Sequence, residues 1–401
     1  MNLLPDELVR QIHDALGQVV LVLNGGSRAV AELLEVPGGS KVLLEATVPY
    51  SEGSLAAWLG SRPEQFCSSR TARAMAVVAF GRAIRYAAAE RQVAGVSCTA
   101  GLATDRPKRG PHRAHVAVQT ADQTRHWSLE LAKEARSRQE EEQIVSRMVL
   151  NAVAEACGIS QRLELPLTEQ ERVEIQQVTA PPPWQDLFLG RVEAIRTMAT
   201  ALPTDSNRQA SEGSCVTACK AGEKSGLAGP LPRVILSGAF NPLHTGHRRM
   251  AEVAEEFLEL PTTMEISILN VDKPALDYLE IDRRLGQFLP EQTVWLTRAA
   301  TYDDKSRLFP GATFVVGVDT LRRIADPRYY GNDAAVMMLS LQRIIARDCR
   351  FLVFGRAVGS SFIRLSDLEL PDVLRRACIQ IPAEKFREDV SSTALRREGV
   401  W

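Results

Sequence analysis

Two α/β domains are the architecture this sequence predicts, the second of them a doubly wound parallel sheet. Three observations carry the expectation. Short apolar runs alternate with segments of helical spacing in both halves of the chain, as in layers of strands and helices. The chain's 401 residues exceed what one core comfortably organises. A stretch rich in Ser, Gly, Ala and Pro over 203–232 nearly lacks large apolar residues. It buries too little surface to offset its ordering entropy, so a flexible linker is expected there.

Residues 1–17 have the spacing of an amphipathic helix. Residues 18–23 (QVVLVL) read as a buried strand ended by Asn24-Gly25-Gly26, and 27–34 as a helix. A strand over 41–48 and an Ala- and Arg-rich helix over 69–90 follow, then strands over 93–97 and 115–120. One long helix is expected over 127–157. Pro181-Pro182-Pro183 and a helix-like segment over 187–198 lead into the linker. Beyond it, 233–236 is a strand, 245–258 a helix and 265–269 a strand. Residues 293–296, 313–318 and 351–354 are further strand candidates, with a helix at 321–324. The expected division is 1–160, a helical segment and linker over 161–230, and 231–401. Parallel strands wound in this way bind ligands at their carboxyl ends.

Hydrophobic residues make up 45% and charged residues 24%, an ordinary globular balance. The net charge of −1 creates no field toward nucleic acid or an anionic membrane, so neither is expected as a partner. No apolar stretch approaches the ~18 residues that span a bilayer. Without a basic leader or a cleavage site, a cytoplasmic protein is expected. The 7 cysteines are odd in number and scattered, which suits reduced thiols. Only Cys215 and Cys219 are close, and no zinc-ligand spacing accompanies them, so no metal centre is expected.

The chemistry concentrates in Ser237-Gly238-Ala239-Phe240-Asn241-Pro242-Leu243-His244-Thr245-Gly246-His247. An apolar strand enters a glycine-containing loop, and two histidines three apart open a helix. Helix amino termini offer unpaired N–H groups and the positive end of the macrodipole, which suit phosphate. His244 and His247 share a face and can present ring donors to one phosphate. Gly238 and Gly246 allow close backbone approach. This equipment suits phosphoryl-type transfer, where positioning and charge stabilisation dominate and no protein nucleophile is needed.

These residues resemble the G-x-F-x-P-x-H-x-G-H motif of the adenylyl- and cytidylyltransferase superfamily. The same superfamily carries S-S-T-x-[IL]-R near the end of its domain, which Ser391-Ser392-Thr393-Ala394-Leu395-Arg396 resembles. A third stretch, Gly317-Val318-Asp319-Thr320, is similar to the G-x-D segment of nicotinamide mononucleotide adenylyltransferases. The resemblance implies His244, His247 and Arg396 as catalytic residues. It implies Ser237, Gly238, Ala239, Phe240, Asn241, Gly246, Ser391, Ser392 and Thr393 as nucleotide-binding residues. Asp319, Thr320 and Lys273 are candidates for the acceptor, and Lys305 a further candidate for phosphate. An acceptor phosphate would attack the α-phosphorus of ATP in line, with Mg²⁺ and the histidines offsetting charge and Arg396 holding the leaving pyrophosphate.

The first half resembles the amidase domain of CinA-like nicotinamide-nucleotide deamidases. The likeness runs through Val22-Leu23-Asn24-Gly25-Gly26, Pro37-Gly38-Gly39-Ser40, Tyr50-Ser51-Glu52 and Ser97-Cys98-Thr99-Ala100-Gly101. The family's nucleophilic serine falls on Leu23 or Asn24, and its lysine on Ser54 or Leu55. An apolar side chain neither attacks a carbonyl nor activates a hydroxyl. Ser27 is the one nearby substitute. The expectation is an amidase fold without amidase activity, kept for binding, assembly or regulation. Its basic stretch Arg106–His115 is a candidate for holding a phosphorylated ligand, and homo-oligomerisation is left open.

The leading expectation is transfer of AMP from ATP to nicotinamide or nicotinate mononucleotide. Another phosphorylated acceptor such as phosphopantetheine, or CTP as donor, is the alternative on the same machinery. A non-catalytic nucleotide-binding regulator is the alternative of another class.

Overall fold

The structure, a computed structural model, describes residues 3–88, 91–105, 109–198, 217–219, 230–358 and 361–387. The chain divides into two compact units. One comprises Met1–Pro181 with Asp272–Glu280, the other Pro182–Val271 with Ile281–Trp401.

The first unit contains α1 (Pro5–Asp14), β1 (Gln18–Asn24), α2 (Arg28–Glu35), β2 (Leu43–Thr47), α3 (Glu52–Leu59), α4 (Ser69–Tyr86), β3 (Val93–Gly101), β4 (His112–Gln119), β5 (Gln123–Leu131), α5 (Arg138–Ala156) and β6 (Val173–Thr179). Its sheet runs β2-β1-β3-β4-β5-β6, parallel around β1 and antiparallel from β3 onward. The continuous apolar run of β1 follows from cover on both faces. Val20 and Val22 pack with Met75, Ala79 and Ala83 of α4. Val19, Leu21 and Leu23 pack with residues of α1, α2 and α5. The alanine content of α4 has a geometric cause. A Cβ at Gly95 of β3 would stand 2.1 Å from the Ala76 carbonyl oxygen, so helix and sheet touch backbone to backbone.

The long helix expected over 127–157 is corrected. Residues 123–131 form β5, and α5 begins only after Ser137. Ser137 accepts the Glu140 amide at 3.3 Å while Glu140 accepts the Ser137 amide at 2.7 Å, a reciprocal cap that fixes the start. Before it, Arg125, Trp127, Leu129 and Leu131 alternate with Thr124, His126 and Ser128, the period of a strand.

His126 lies on the face of β5 that also carries Ser128, with only 2% of its surface exposed. Its ring stacks on His115 at 5.6 Å. Burial, then the charge of Arg73 and the His115 ring, lowers His126 to about 3. Because the folded value lies below the ordinary one, the neutral ring contributes stability above the usual histidine range. That contribution is lost as pH falls toward about 3. Between pH 6.5 and 4.5, this one site should cost about 2 kcal/mol. Urea unfolding at the two pH values should show the drop, and it should shrink by that amount in His126→Gln. An unchanged pH dependence would remove His126 from the account.

The second unit adds α6 (Pro182–Phe188), β7 (Ala194–Met198), β8 (Thr217–Cys219), β9 (Val234–Ser237), α7 (Thr245–Leu258), β10 (Thr262–Ser267), α8 (Tyr278–Leu285), β11 (Thr293–Thr297), α9 (Tyr302–Leu308), β12 (Thr313–Gly317), α10 (Val318–Ile324), α11 (Ala334–Ala346), β13 (Arg350–Phe354), β14 (Arg356–Val358), β15 (Ser361–Ile363), α12 (Asp372–Arg375) and β16 (Cys378–Gln380). The first turn of α8 belongs to the 272–280 segment of the first unit. The helix expected over 187–198 is also corrected. The chain turns at Gly190 with φ +74° and then forms β7, antiparallel to β11. Within the expected linker, Thr217–Cys219 pairs with β7. The division also differs from the expected one, because residues 161–181 complete the first unit through β6 and the second begins at Pro182.

The sheet order is β16-β13-β12-β9-β10-β11-β7-β8. Numbered by sequence, its six parallel strands stand in the order 6-5-4-1-2-3, the doubly wound arrangement expected. The winding reverses between β9 and β12, and a crevice opens at their carboxyl ends.

Candidate functional site at the switch between β9 and β12

β9 is buried through Val234, Ile235 and Leu236 and pairs with β12 as far as Leu236↔Val315. Two residues beyond that pair stand Gly238, just past the end of β9, and Gly317, the last residue of β12. The Gly238 amide donates to the Glu265 carbonyl at 3.0 Å, so the loop starts anchored to β10. A Cβ on Gly238 would stand 2.7 Å from the Phe240 ring. Glycine is therefore needed here by the phenylalanine two residues on.

Phe240 takes φ +43° and is only 1% exposed. Its ring meets Phe288 edge-on at 5.3 Å and His247 at 5.1 Å. This refines the sequence reading: Phe240 is an internal support for His247, and its ring is not turned to a ligand. Asn241 is also buried, and its Oδ1 accepts from Arg283 at 2.5 Å. Gln287, just past α8, ties the loop at two points. Its amide donates to the Phe240 carbonyl at 2.9 Å, and its Oε1 accepts from the Leu243 amide at 2.8 Å. Neither Arg283 nor Gln287 stands out in the sequence, since their partners lie over 40 residues away.

His244 is the N-cap of α7 and His247 lies in its first turn. Their rings stack at 3.8 Å with 26° between the planes. The His244 amide donates to His247 Nδ1 at 3.3 Å. An accepting Nδ1 carries no proton, so the neutral ring must carry its proton on Nε2. Burial, followed by the neighbouring His244, lowers His247 to about 3. Burial also lowers His244. Both therefore act near neutrality as uncharged rings with N–H donors. His244 Nδ1 is buried and has no hydrogen-bond partner among the described residues, which leaves a polar atom for a ligand to satisfy.

Ser237 and Gly246 lie at the strand end and in the first helical turn, and Ala239 is exposed on the loop. Asp319 and Thr320 occupy the first turn of α10, directly after Gly317, so they border the same crevice. Asp319 is ion-paired with Arg356. Lys273 is exposed and belongs to the segment grouped with the first unit. Ser391, Ser392, Thr393 and Arg396 lie outside the described residues.

Lys305 is not available as a phosphate ligand. It is 6% exposed and donates to both oxygens of the fully buried Glu265, at 2.8 and 2.7 Å. Thr297 adds a hydrogen bond of 2.5 Å to the same carboxylate. A lysine beside an apolar strand signals a surface cation in sequence; here a carboxylate on a neighbouring strand draws it inside.

In the first unit, residues at the positions expected for amidase chemistry are tied into the fold. Leu23 and Leu55 are fully buried in the core. The Asn24 amide donates to the Pro49 carbonyl at 3.5 Å. Ser27 donates to Glu142 at 3.2 Å, and the same carboxylate takes the Gly26 amide at 3.1 Å. The glycine turn is thus filled by an internal anion. Of the basic stretch, residues 106–108 lie outside the described residues. His112 is buried against Glu141 at 2.7 Å.

Among the described residues, no helix is long and apolar enough to cross a membrane. A search of curated proteins found no relative of this chain. Among solved structures, a competence/damage-inducible protein from Agrobacterium tumefaciens is 22% identical, covering 39% of this chain and 99% of its own, with a TM-score of 0.32. A CinA superfamily protein from Escherichia coli is 15% identical, covering 38% and 90%, with a TM-score of 0.31. A competence or damage-inducible protein from Enterobacter asburiae is 17% identical, covering 39% and 98%, with a TM-score of 0.32. The family model that matches is cytidylyltransferase-like, over residues 235–398. Those residues run from β9 past the histidine pair to Arg396, and over them the chain is similar to the cytidylyltransferase-like family.

Proposed function

We propose that this domain transfers AMP from ATP to nicotinamide or nicotinate mononucleotide, releasing pyrophosphate and forming the dinucleotide. The supporting observation is the stacked His244–His247 pair at the switch between β9 and β12. An oxygen of the acceptor phosphate attacks the α-phosphorus, and the bond from that phosphorus to the bridging oxygen breaks. The acceptor oxygen is already anionic, so no general base is required. The ring N–H donors and the loop amides stabilise the charge that develops on the phosphate oxygens. Arg396 is assigned to the leaving pyrophosphate.

Mg²⁺ is assigned to the nucleotide itself. Among the described residues, no group of three or more His, Cys, Asp or Glu side chains fits a metal ion. Mg²⁺ prefers phosphate oxygens and water to an all-protein cage. When bound it neutralises phosphate charge, while the protein's own residues orient the two substrates. The first unit is assigned a binding or regulatory role without hydrolysis, on the buried leucines and the Ser27–Glu142 pair.

The test is incubation of the full chain with Mg-ATP or Mg-CTP and a panel of nicotinamide mononucleotide, nicotinate mononucleotide and phosphopantetheine. Dinucleotide and pyrophosphate from ATP and a pyridine mononucleotide are expected. Pyrophosphate with another acceptor would keep the chemistry and replace the substrate. No pyrophosphate from any pair, with ATP still bound, would leave a regulator.

A further inference from the structure

We propose that Gln287 is a positioning residue for the histidine pair, its side-chain amide clamping the turn that decides where His244 and His247 present their ring donors. The inference deepens the nucleotidyltransferase reading and rests on it for its rate readout.

The clamp closes on one turn. Gln287 Nε2 donates to the Phe240 carbonyl at 2.9 Å, and Gln287 Oε1 accepts from the Leu243 amide at 2.8 Å. One planar amide thereby bridges the first and last residues of Phe240–Leu243, donating to one and accepting from the other. The partners also fix which way the amide faces, since its oxygen cannot serve a carbonyl nor its nitrogen an N–H. The clamp is itself braced. Gln287 Nε2 also donates to the Arg284 carbonyl at 3.3 Å, and the Gln287 carbonyl accepts from Arg248 at 3.1 Å. Arg248 follows His247 directly, so the turn before the pair and the residue behind it are both tied to Gln287.

Both histidines depend on the two bridged residues. Leu243 immediately precedes His244, the N-cap of α7. The His244 amide donates to His247 Nδ1 at 3.3 Å, which leaves the His247 proton on Nε2. Phe240 supports the His247 ring at 5.1 Å, and Phe288, next to Gln287, braces Phe240 at 5.3 Å. A shift of the turn therefore moves both ring donors and loosens the bond that sets the His247 tautomer. Arg283 holds the middle of the same turn through Asn241 at 2.5 Å, so one anchor remains when Gln287 is replaced. A donor stabilises developing charge only where it is preorganised, and a misplacement of about 1 Å can cost about 10²-fold.

The experiment compares two variants of the full chain, with circular dichroism and thermal melts to show that each is folded. Gln287→Leu removes both bonds at similar volume. It should lower kcat for transfer from Mg-ATP to nicotinamide mononucleotide by about tenfold or more, with KM for ATP within about twofold. Gln287→Glu turns an anionic oxygen toward the Phe240 carbonyl and should lose at least as much at pH 8. Protonation restores a donor there, so its rate relative to wild type should recover as pH falls toward 5. In a His247→Ala background, Gln287→Leu should cost clearly less than in wild type, because part of what the clamp positions is gone. Equal cost in the two backgrounds would overturn the inference, as would an unchanged kcat in a folded variant at pH 8. The ring-nitrogen NMR spectrum of His247, identified by its loss in His247→Ala, needs no turnover. Wild type should show one tautomer, and Gln287→Leu should move toward the mixture of a free neutral ring; unchanged shifts would also overturn the inference. A wild type that releases no pyrophosphate with any substrate pair would overturn the nucleotidyltransferase reading, and the ring spectrum would still decide the role of Gln287.

Discussion

Replacing His247 by alanine is expected to slow nucleotidyl transfer by roughly 10²-fold or more at saturating substrates, the scale of losing one preorganised donor. The ring is held on three sides. His244 stacks on it at 3.8 Å, Phe240 supports it at 5.1 Å, and the His244 amide occupies its Nδ1 at 3.3 Å. What remains is one N–H on Nε2, aimed without rotational freedom. A donor fixed before substrate arrives needs no reorganisation during the reaction, which is where its catalytic value lies. His247→Gln, which keeps an N–H donor, should lose less than the alanine variant. Because burial holds the ring neutral down to about pH 3, the loss in kcat/KM should stay constant between pH 5 and 8. A single-turnover rate unchanged in His247→Ala would remove this residue from the transition state. A loss that appears only below pH 6.5 would show that the charged ring is the active form.

The histidine pair was legible in sequence because its geometry is local. Strand, glycine loop and helix start lie within fourteen residues, and three-residue spacing on a helix fixes a shared face. The doubly wound sheet was legible for a related reason: parallel strands covered on both faces must be apolar throughout, and β9, β12 and β13 are. β5 was missed because its inward positions include Thr124, His126 and Ser128, polar residues that blur a two-residue period. Side-chain direction was harder still. A motif names Phe240 and Asn241 but does not say that both turn inward, which depends on Phe288, Arg283 and Gln287 from a distant helix region. Arg356 and Lys305 show the limit most clearly. Each is a cation in a segment of strand–helix alternation, yet one stands at the crevice and the other is buried, a difference set by where Asp319 and Glu265 lie in the sheet order.

Lys305→Met should destabilise the second unit by about 3–5 kcal/mol, the cost of leaving a buried carboxylate without its counterion. Glu265 is fully buried, and its remaining partner would be the Thr297 hydroxyl at 2.5 Å. One hydrogen bond does not replace two bonds from an ammonium group. For a unit of this size the melting point should fall by roughly 10 °C. Glu265→Leu alone should cost a similar amount by stranding the lysine. The double variant Glu265→Leu with Lys305→Met should recover most of the loss, since apolar replacement of a whole buried pair is often neutral. Calorimetric unfolding of the four proteins closes the cycle, and simple additivity would show that the two groups do not depend on each other. Activity adds a second readout. The Glu265 carbonyl accepts the Gly238 amide at 3.0 Å, so a disturbed β10 shifts the start of the histidine loop. The single variants should therefore lose turnover as well as stability, and the double variant should regain both together. Recovery of stability without turnover would mean that the charge of the pair, and not only its packing, is felt at the histidines.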